Sequence, residues 1–322
     1  SGYNLDDLEG GGPCNMARFV VGSEGTLLTI TEAKLALVPN PAYKRLAVLH
    51  FNSVAESMEA TVAVLELAPA AVELIDSMII RQATANLVYS RQMGFIQGDP
   101  EALLLVEVVG DSDVEVESKL DSLDAKNLGY ATTRISDANE QASVWAVRKA
   151  GLGLMMNVTG PAKPLPFVED TAVAPERLPE YVRRFDEIVK ANGTTAGYYG
   201  HASVGCLHIR PLIDLKGVEG VERMAAITDQ ISDLVLEFGG SMSGEHGDGL
   251  ARSALNEKMF GSAIYDAFRR VKGAFDPQGI MNPGKIVDAP SMTENLKIGP
   301  DYKTLGLSTG FAFSQEGGFA AA

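Results

Sequence analysis

Three of the four histidines in this 322-residue chain, His201, His208 and His246, fall in two glycine-rich stretches. These are "YYGHASVGCLHIRP" (198–211) and "GGSMSGEHGDGLAR" (239–252), and the second also holds Glu245. Two neutral imidazoles and a carboxylate form a common donor set for a divalent ion such as zinc, manganese or iron, with positions left open for substrate. His201 and His208 are seven positions apart, and on an unbroken strand an odd separation points side chains to opposite faces. A bend at Ser203–Gly205 would bring both rings to one point. Glu245 is then the third ligand, in a loop whose glycines let backbone approach a cofactor closely. His246, next in sequence, points elsewhere and is suited to take a proton at neutral pH. His50, alone in the apolar run "RLAVLHF", reads as a core histidine that satisfies hydrogen bonds.

The elements that must position these residues are alternating strands and helices. The chain predicts strands at "RLAVLHF", "ALLLVEVVG" and "YATTRIS", a strand at "FVEDTAVAP", and a strand pair at "YYGHASVGCLHIRP". Helices are expected near 53–67, 113–126, 139–150 and 176–191. Several strands read as half-exposed, so the expected class is α+β, an antiparallel sheet with helices on one face. From 218 to 286 the pattern is mainly helical, and "VERMAAITDQISDLVLEFG" ends at Gly239 as a C-cap. Residues 22–39 read as a tight turn followed by a strand. The tail from 288 to 322 reads as a linker. The expected organisation is 1–41 as the end of one domain, 42–286 as a second domain with its helical segment, and 287–322 as linker.

Composition limits the function classes. The chain has 27 basic against 42 acidic side chains, a net charge of −15, so its long-range field repels phosphate backbones and nucleic acid is not an expected partner. An anionic substrate requires a local basic pocket. Two cysteines, Cys14 and Cys206, lie far apart in no paired pattern, which points to a reducing, cytoplasmic setting. No apolar run is long enough to span a membrane, although peripheral attachment to an inner membrane and homo-oligomerisation are both allowed.

Four segments in order, "GSEGTLLTITEAKLALVP", "YGHASVGCLHIRP", "GGSMSGEHGDG" and "FDPQGIMNPGKI", resemble the FAD-linked oxidases of the vanillyl-alcohol oxidase type. The likeness is to the branch of D-lactate, glycolate and D-2-hydroxyglutarate dehydrogenases. The resemblance implies a flavin domain and a cap domain that closes over FAD. It implies His201, His208 and Glu245 as metal ligands, His246 as the base, and Arg148 in "SVWAVRKAG" as the substrate-carboxylate arginine. FAD contacts are implied at Gly22, Ser23, Glu24, Gly25, Thr26, Ile30 and Asn282. The implied activity is FAD-dependent oxidation of a D-2-hydroxy acid, D-lactate-like, to the 2-oxo acid.

The chain also departs from the family pattern. Ser203, Val204 and Cys206 stand where the family carries glycine, aspartate and asparagine, and Leu28 replaces a glycine. Arg210 occupies a position that is polar and neutral in the hydroxyglutarate enzymes, which adds a cation and a second candidate for the substrate carboxylate. Lys163 and Arg252 are read as structural. The family's glycine-rich pyrophosphate loop has no counterpart, and "LEGGGPCN" is not read as that loop. The tail resembles the connector to an iron–sulfur domain. The resemblance therefore implies the middle of a larger flavin and iron–sulfur protein, with the cluster in the missing part and the isolated piece inactive. Two rival classes are a metal-dependent hydrolase without flavin and a catalytically silent cap. A flavin spectrum beside metal analysis discriminates among the three.

Overall fold

Strand β1 (Tyr43–Phe51) is buried on both sides from Leu46 onward, because "LAVLHF" has no polar alternation to present to water. The computed structural model describes residues 1–8, 15–303, 310–311 and 313–316. Cys14, most of "LEGGGPCN" and parts of the tail lie outside the described residues. The remaining strands are β2 (Ala71–Asp76), β3 (Ala102–Gly110), β4 (Ala131–Ile135), β5 (Lys163–Pro164), β6 (Thr171–Ala172), β7 (Ala196–His201) and β8 (Cys206–Ile213). They form one sheet in the order β4-β1-β3-β2-β7-β8-β5, with β6 also paired to β8, and every pairing is antiparallel.

The protein is thus an α+β antiparallel sheet with helices, as expected. Its main helical layer, formed by Val54–Leu65, Asp113–Asp124, Leu178–Ala191 and Val218–Glu237, covers the face that carries Ala47, Leu49 and Phe51. The opposite face is covered as well. Leu46, Val48, Ile75 and Leu105 pack against the helices Ser77–Ala85 and Ala138–Met155. The central strands are therefore buried twice rather than half-exposed, and each fully buried large apolar side chain contributes roughly 1.5–3 kcal/mol.

Local signals set the helix starts. Ser53 accepts from Glu56 N while Glu56 Oε2 accepts from Asn52 N, and Ser112 and Glu115 repeat the arrangement with Asp111 N. Asp76 and Asp137 cap the helices that follow them.

A further expectation fails. Residues 27–42 form no strand, and Leu35, Leu37 and Val38 are exposed. Their β-branched and apolar pattern suits a ladder, but no described residue pairs with it, and an unpaired strand is not stable. The preceding segment is ordered differently. Tyr3, Phe19 and Leu27 form a small separate core with Tyr265, Phe268 and Ile286, which ties these three positions to the helix Ser262–Phe275.

Candidate functional site

The β7–β8 hairpin turns through Ala202–Gly205, where Gly205 has φ +72° and a Cβ would lie 1.8 Å from Val173 O. Only glycine fits there. Gly200, at φ +145°, is equally constrained, because a Cβ would press on the backbone of Cys206 and Leu207 at 2.8 Å. The turn sets the register His201 opposite Cys206 and Tyr199 opposite His208. Because partners across a ladder and residues two apart share a face, His201, Tyr199, His208 and Arg210 all project to one side. The seven-residue spacing is thereby folded back on itself.

The loop that carries Glu245 and His246 is pinned along β6. Ala172 and Ser241 exchange backbone hydrogen bonds, and Gly244 N donates to Asp170 O at 2.7 Å. Asp170, fully buried and at φ +74°, then acts as the hub of the loop. Its carboxylate accepts from Ser243 Oγ (2.7 Å), His246 N (2.8 Å), Glu245 N (3.2 Å) and the Cys206 thiol (3.4 Å). Burial alone would raise the pKa of Asp170, but these bonds outweigh it and hold the pKa below the ordinary value. Arg252 closes the far side by donating to Gly247 O.

The three imidazoles meet on one atom, so His246 does not point elsewhere as expected, because the backbone bond from its N to Asp170 holds it over the same cluster. Glu245 Oε1 lies 3.1 Å from His208 Nε2, 3.2 Å from His201 Nε2 and 3.5 Å from His246 Nε2. His208 is buried, and its Nδ1 has no hydrogen-bond partner among the described residues. Burial, with His246 and His201 beside it, lowers its pKa to about 3, so it is a neutral imidazole. His201 is more open, and its hydrogen bond to Glu73 raises its pKa against the opposing effect of burial. His246 lies flat on His208, and its Nδ1 is 3.3 Å from Glu169 Oε1.

Imidazole nitrogens directed at one carboxylate oxygen, one of them on a neutral ring whose other nitrogen is unpartnered, suit a divalent cation. Two tighter groupings, with donor atoms all within 4.8 Å, also centre on His208: Asp170, Cys206, His208 and Glu245, and Glu169, His208 and His246. His201 lies outside both but reaches the same Glu245 oxygen. Asp170 and Cys206 fit an ion poorly. Asp170 is already saturated with donors, and burial, together with the neighbouring Asp170, raises the Cys206 pKa and keeps the thiol protonated.

The two arginines are both paired. Arg148 Nε donates to Glu73 Oε2 at 2.9 Å, its Nη2 lies 2.7 Å from the same oxygen, and its guanidinium is 5.1 Å from the Tyr199 ring centroid. Arg210 Nη2 lies 2.5 Å from Glu169 Oε2, yet Arg210 Nε and Glu169 Oε2 have no aligned hydrogen bond. That leaves donor capacity at the centre of the site. Glu73, Glu169 and Asp170 escaped the sequence reading, and only the acidic pair inside "FVEDTAVAP" could have drawn notice to the last two.

The implied FAD residues form a separate knot. Glu24 accepts from Asp248 N (2.6 Å) and Gly249 N (2.8 Å), and Asn282 Nδ2 donates to Glu24 O (2.7 Å). Thr26 Oγ1 pairs with Tyr3 Oη and donates to Ser23 O. The side chains of Glu24, Thr26 and Asn282 are thus committed internally, and Ser23 is buried. Gly22 and Gly25, both at positive φ, have open space where a Cβ would stand, and Ile30 is exposed. Open glycine backbone and an exposed apolar side chain fit one edge of a flat cofactor. Glu24 also joins this knot to the "GEHGDG" loop. His50, by contrast, is far from the site in role, with Nδ1 against Ala131 O (3.2 Å) and Nε2 accepting from Gln97 N (3.1 Å). Lys163 donates to Val158 O.

Residues 40–286 match the family described as FAD linked oxidases, C-terminal domain. The chain is 34% identical over 309 residues to the D-2-hydroxyglutarate dehydrogenase of Pseudomonas putida, covering 92% of this chain and 30% of that protein. It is 32% identical to the Escherichia coli enzyme of the same name, covering 86% of this chain and 29% of that protein. To the D-lactate dehydrogenase of Archaeoglobus fulgidus it is 29% identical, covering 85% and 58%. It spans about 30% of the length of the first two relatives. Among solved structures, p-cresol methylhydroxylase with substrate bound superposes with a TM-score of 0.56 at 13% identity, over 78% of this chain and 54% of that one. That likeness speaks to the fold alone. Among the described residues, no helix is long and apolar enough to cross a membrane.

Proposed function

This chain belongs to the FAD-linked oxidases, and from that premise we propose that it forms the substrate-holding part of an enzyme that oxidises a D-2-hydroxy acid to the 2-oxo acid. The observation that carries the reading is the convergence of His201, His208 and His246 on Glu245 Oε1, with Arg210 on the same face of the sheet and Arg148 set against Glu73 and Tyr199. FAD would accept the C2 hydride, and a divalent ion held by His201, His208 and Glu245 would act as a Lewis acid on the substrate oxygens. The substrate carboxylate is met by the guanidinium of Arg148 or Arg210, whose forks match its two oxygens. His246 takes the hydroxyl proton at Nε2, while Glu169 Oε1 steadies its Nδ1 at 3.3 Å. Arg210 adds positive charge beside Tyr199, whose phenol is kept protonated because burial raises its pKa.

Segments 1–41 and 287–322 are taken as parts of the flavin domain and of a linker, respectively. Lactate-like and hydroxyglutarate-like substrates are both compatible with two arginines. The test combines zinc and manganese binding by this chain with flavin reduction by D- and L-2-hydroxy acids in the flavin-loaded protein. Reduction by the D-acids alone, dependent on metal, is expected. Water-driven ester or amide hydrolysis without flavin would overturn the reading in favour of a hydrolase.

A further inference from the structure

Glu73 stands directly opposite His201 in the β2–β7 register, and one carboxylate serves two residues of the site. Its Oε1 lies 2.7 Å from His201 Nδ1, and its Oε2 accepts from Arg148 Nε at 2.9 Å and forms an ion pair with Nη2 at 2.7 Å. We propose that Glu73 is a positioning residue that holds His201 as the Nδ1–H form, so that Nε2 presents its lone pair to Glu245, and that the same carboxylate fixes the Arg148 guanidinium beside it. This rests on the reading of His201 as a ligand.

The argument is one of donors and acceptors. A neutral imidazole has one N–H and one lone pair, and an ionised carboxylate only accepts, so a 2.7 Å contact places the proton on Nδ1. The Nε2 lone pair then faces Glu245 Oε1, another acceptor, at 3.2 Å. In the neutral ring, the form compatible with metal ligation, two acceptors then face each other, and a cation held between them relieves that opposition. Outer carboxylates that orient a ligating histidine in this way also make its nitrogen a better donor.

The asymmetry between the two rings supports the assignment. The His208 side chain is 4% exposed and is oriented by packing, without any partner on Nδ1, whereas the His201 side chain is 34% exposed and packing alone leaves it free to turn. The contact also depends on register, since a one-residue slip of β2 would carry Glu73 to the other face of the sheet.

The test is the imidazole nitrogen spectrum of the whole chain labelled with ¹⁵N-histidine, in mildly alkaline metal-free buffer, followed by titration with zinc chloride. The expected result is His201 as the Nδ1–H tautomer in the wild type. Glu73→Gln, which keeps shape and volume, is expected to show a tautomer mixture at His201 and a loss of zinc affinity of about ten- to a hundred-fold. Wild-type His201 as the Nε2–H form would overturn the proposal, as would a Glu73→Gln chain with unchanged tautomer and unchanged zinc affinity. A wild-type chain with the Nδ1–H form that binds no zinc would overturn the metal reading while supporting Glu73 as the partner that orients His201.

Discussion

His246 lies flat against His208, with ring planes 6° apart and centroids separated by 4.8 Å. The stacking keeps His246 beside His201, His208 and Glu245, with its Nδ1 at Glu169 and its Nε2 3.5 Å from Glu245 Oε1. Under the proposed function these adjacent residues of one loop hold different tasks, Glu245 as ligand and His246 as base. His246→Ala is expected to leave zinc or manganese content near normal and to slow substrate-dependent flavin reduction by roughly a hundred- to ten-thousand-fold. Glu245→Ala is expected to lower metal occupancy, with partial recovery in excess metal. Equal metal loss in both variants would make His246 a ligand.

Arg210 and Glu169 are both buried and paired at 2.5 Å. Arg210→Met leaves an uncompensated carboxylate in the interior and is expected to cost about 3–5 kcal/mol in urea unfolding. Adding Glu169→Gln removes the charge and is expected to recover much of that loss. A double variant no more stable than Arg210→Met would show that the arginine acts through packing instead.

Asp170 organises the "GEHG" loop by accepting from Ser243, Glu245 and His246. Asp170→Asn puts an amide donor among donors, and each bond lost in a buried site costs about 1–3 kcal/mol. Faster hydrogen exchange at the Glu245 and His246 amides is the expected signature, together with weaker metal binding. Unchanged exchange would show that backbone pairing with β6 holds the loop by itself.

Burial lowers the pKa of His50 below that of a free histidine. A group whose pKa is lower folded than unfolded adds stability above the unfolded value, and that stability is lost as pH falls towards the folded one. Thermal stability is therefore expected to drop between about pH 7 and pH 5. His50→Gln is expected to flatten that slope, even though it lowers stability at neutral pH by disturbing the bond from Gln97 N. An unchanged slope would assign the acid sensitivity to His208, which is shifted in the same direction.

Much of the fold is legible locally. Caps at Ser53 and Ser112, the apolar runs of β1 and β3, and Gly239 at φ +63° closing the helix Val218–Glu237 are all signals carried within a few residues. The bend at Ser203–Gly205 is legible too, since seven residues cannot return a side chain to the same face without one. The failed strand at residues 27–42 has the opposite cause. Its composition suits a ladder, but pairing is a property of two segments, and no described partner is there.

Glu73 lies 128 residues from His201 and 75 from Arg148 in the chain, and Asp170 lies 75 from Glu245. No periodicity spans such distances. Histidines and glycines concentrated in two short stretches could be seen in the sequence, because residue type and spacing are local quantities. Which carboxylate turns each imidazole, and which arginine is already paired, follows from strand register and from the exclusion of water at the sheet. Only the assembled tertiary structure decides these, because a buried charge selects its partner by what is within reach once solvent has gone.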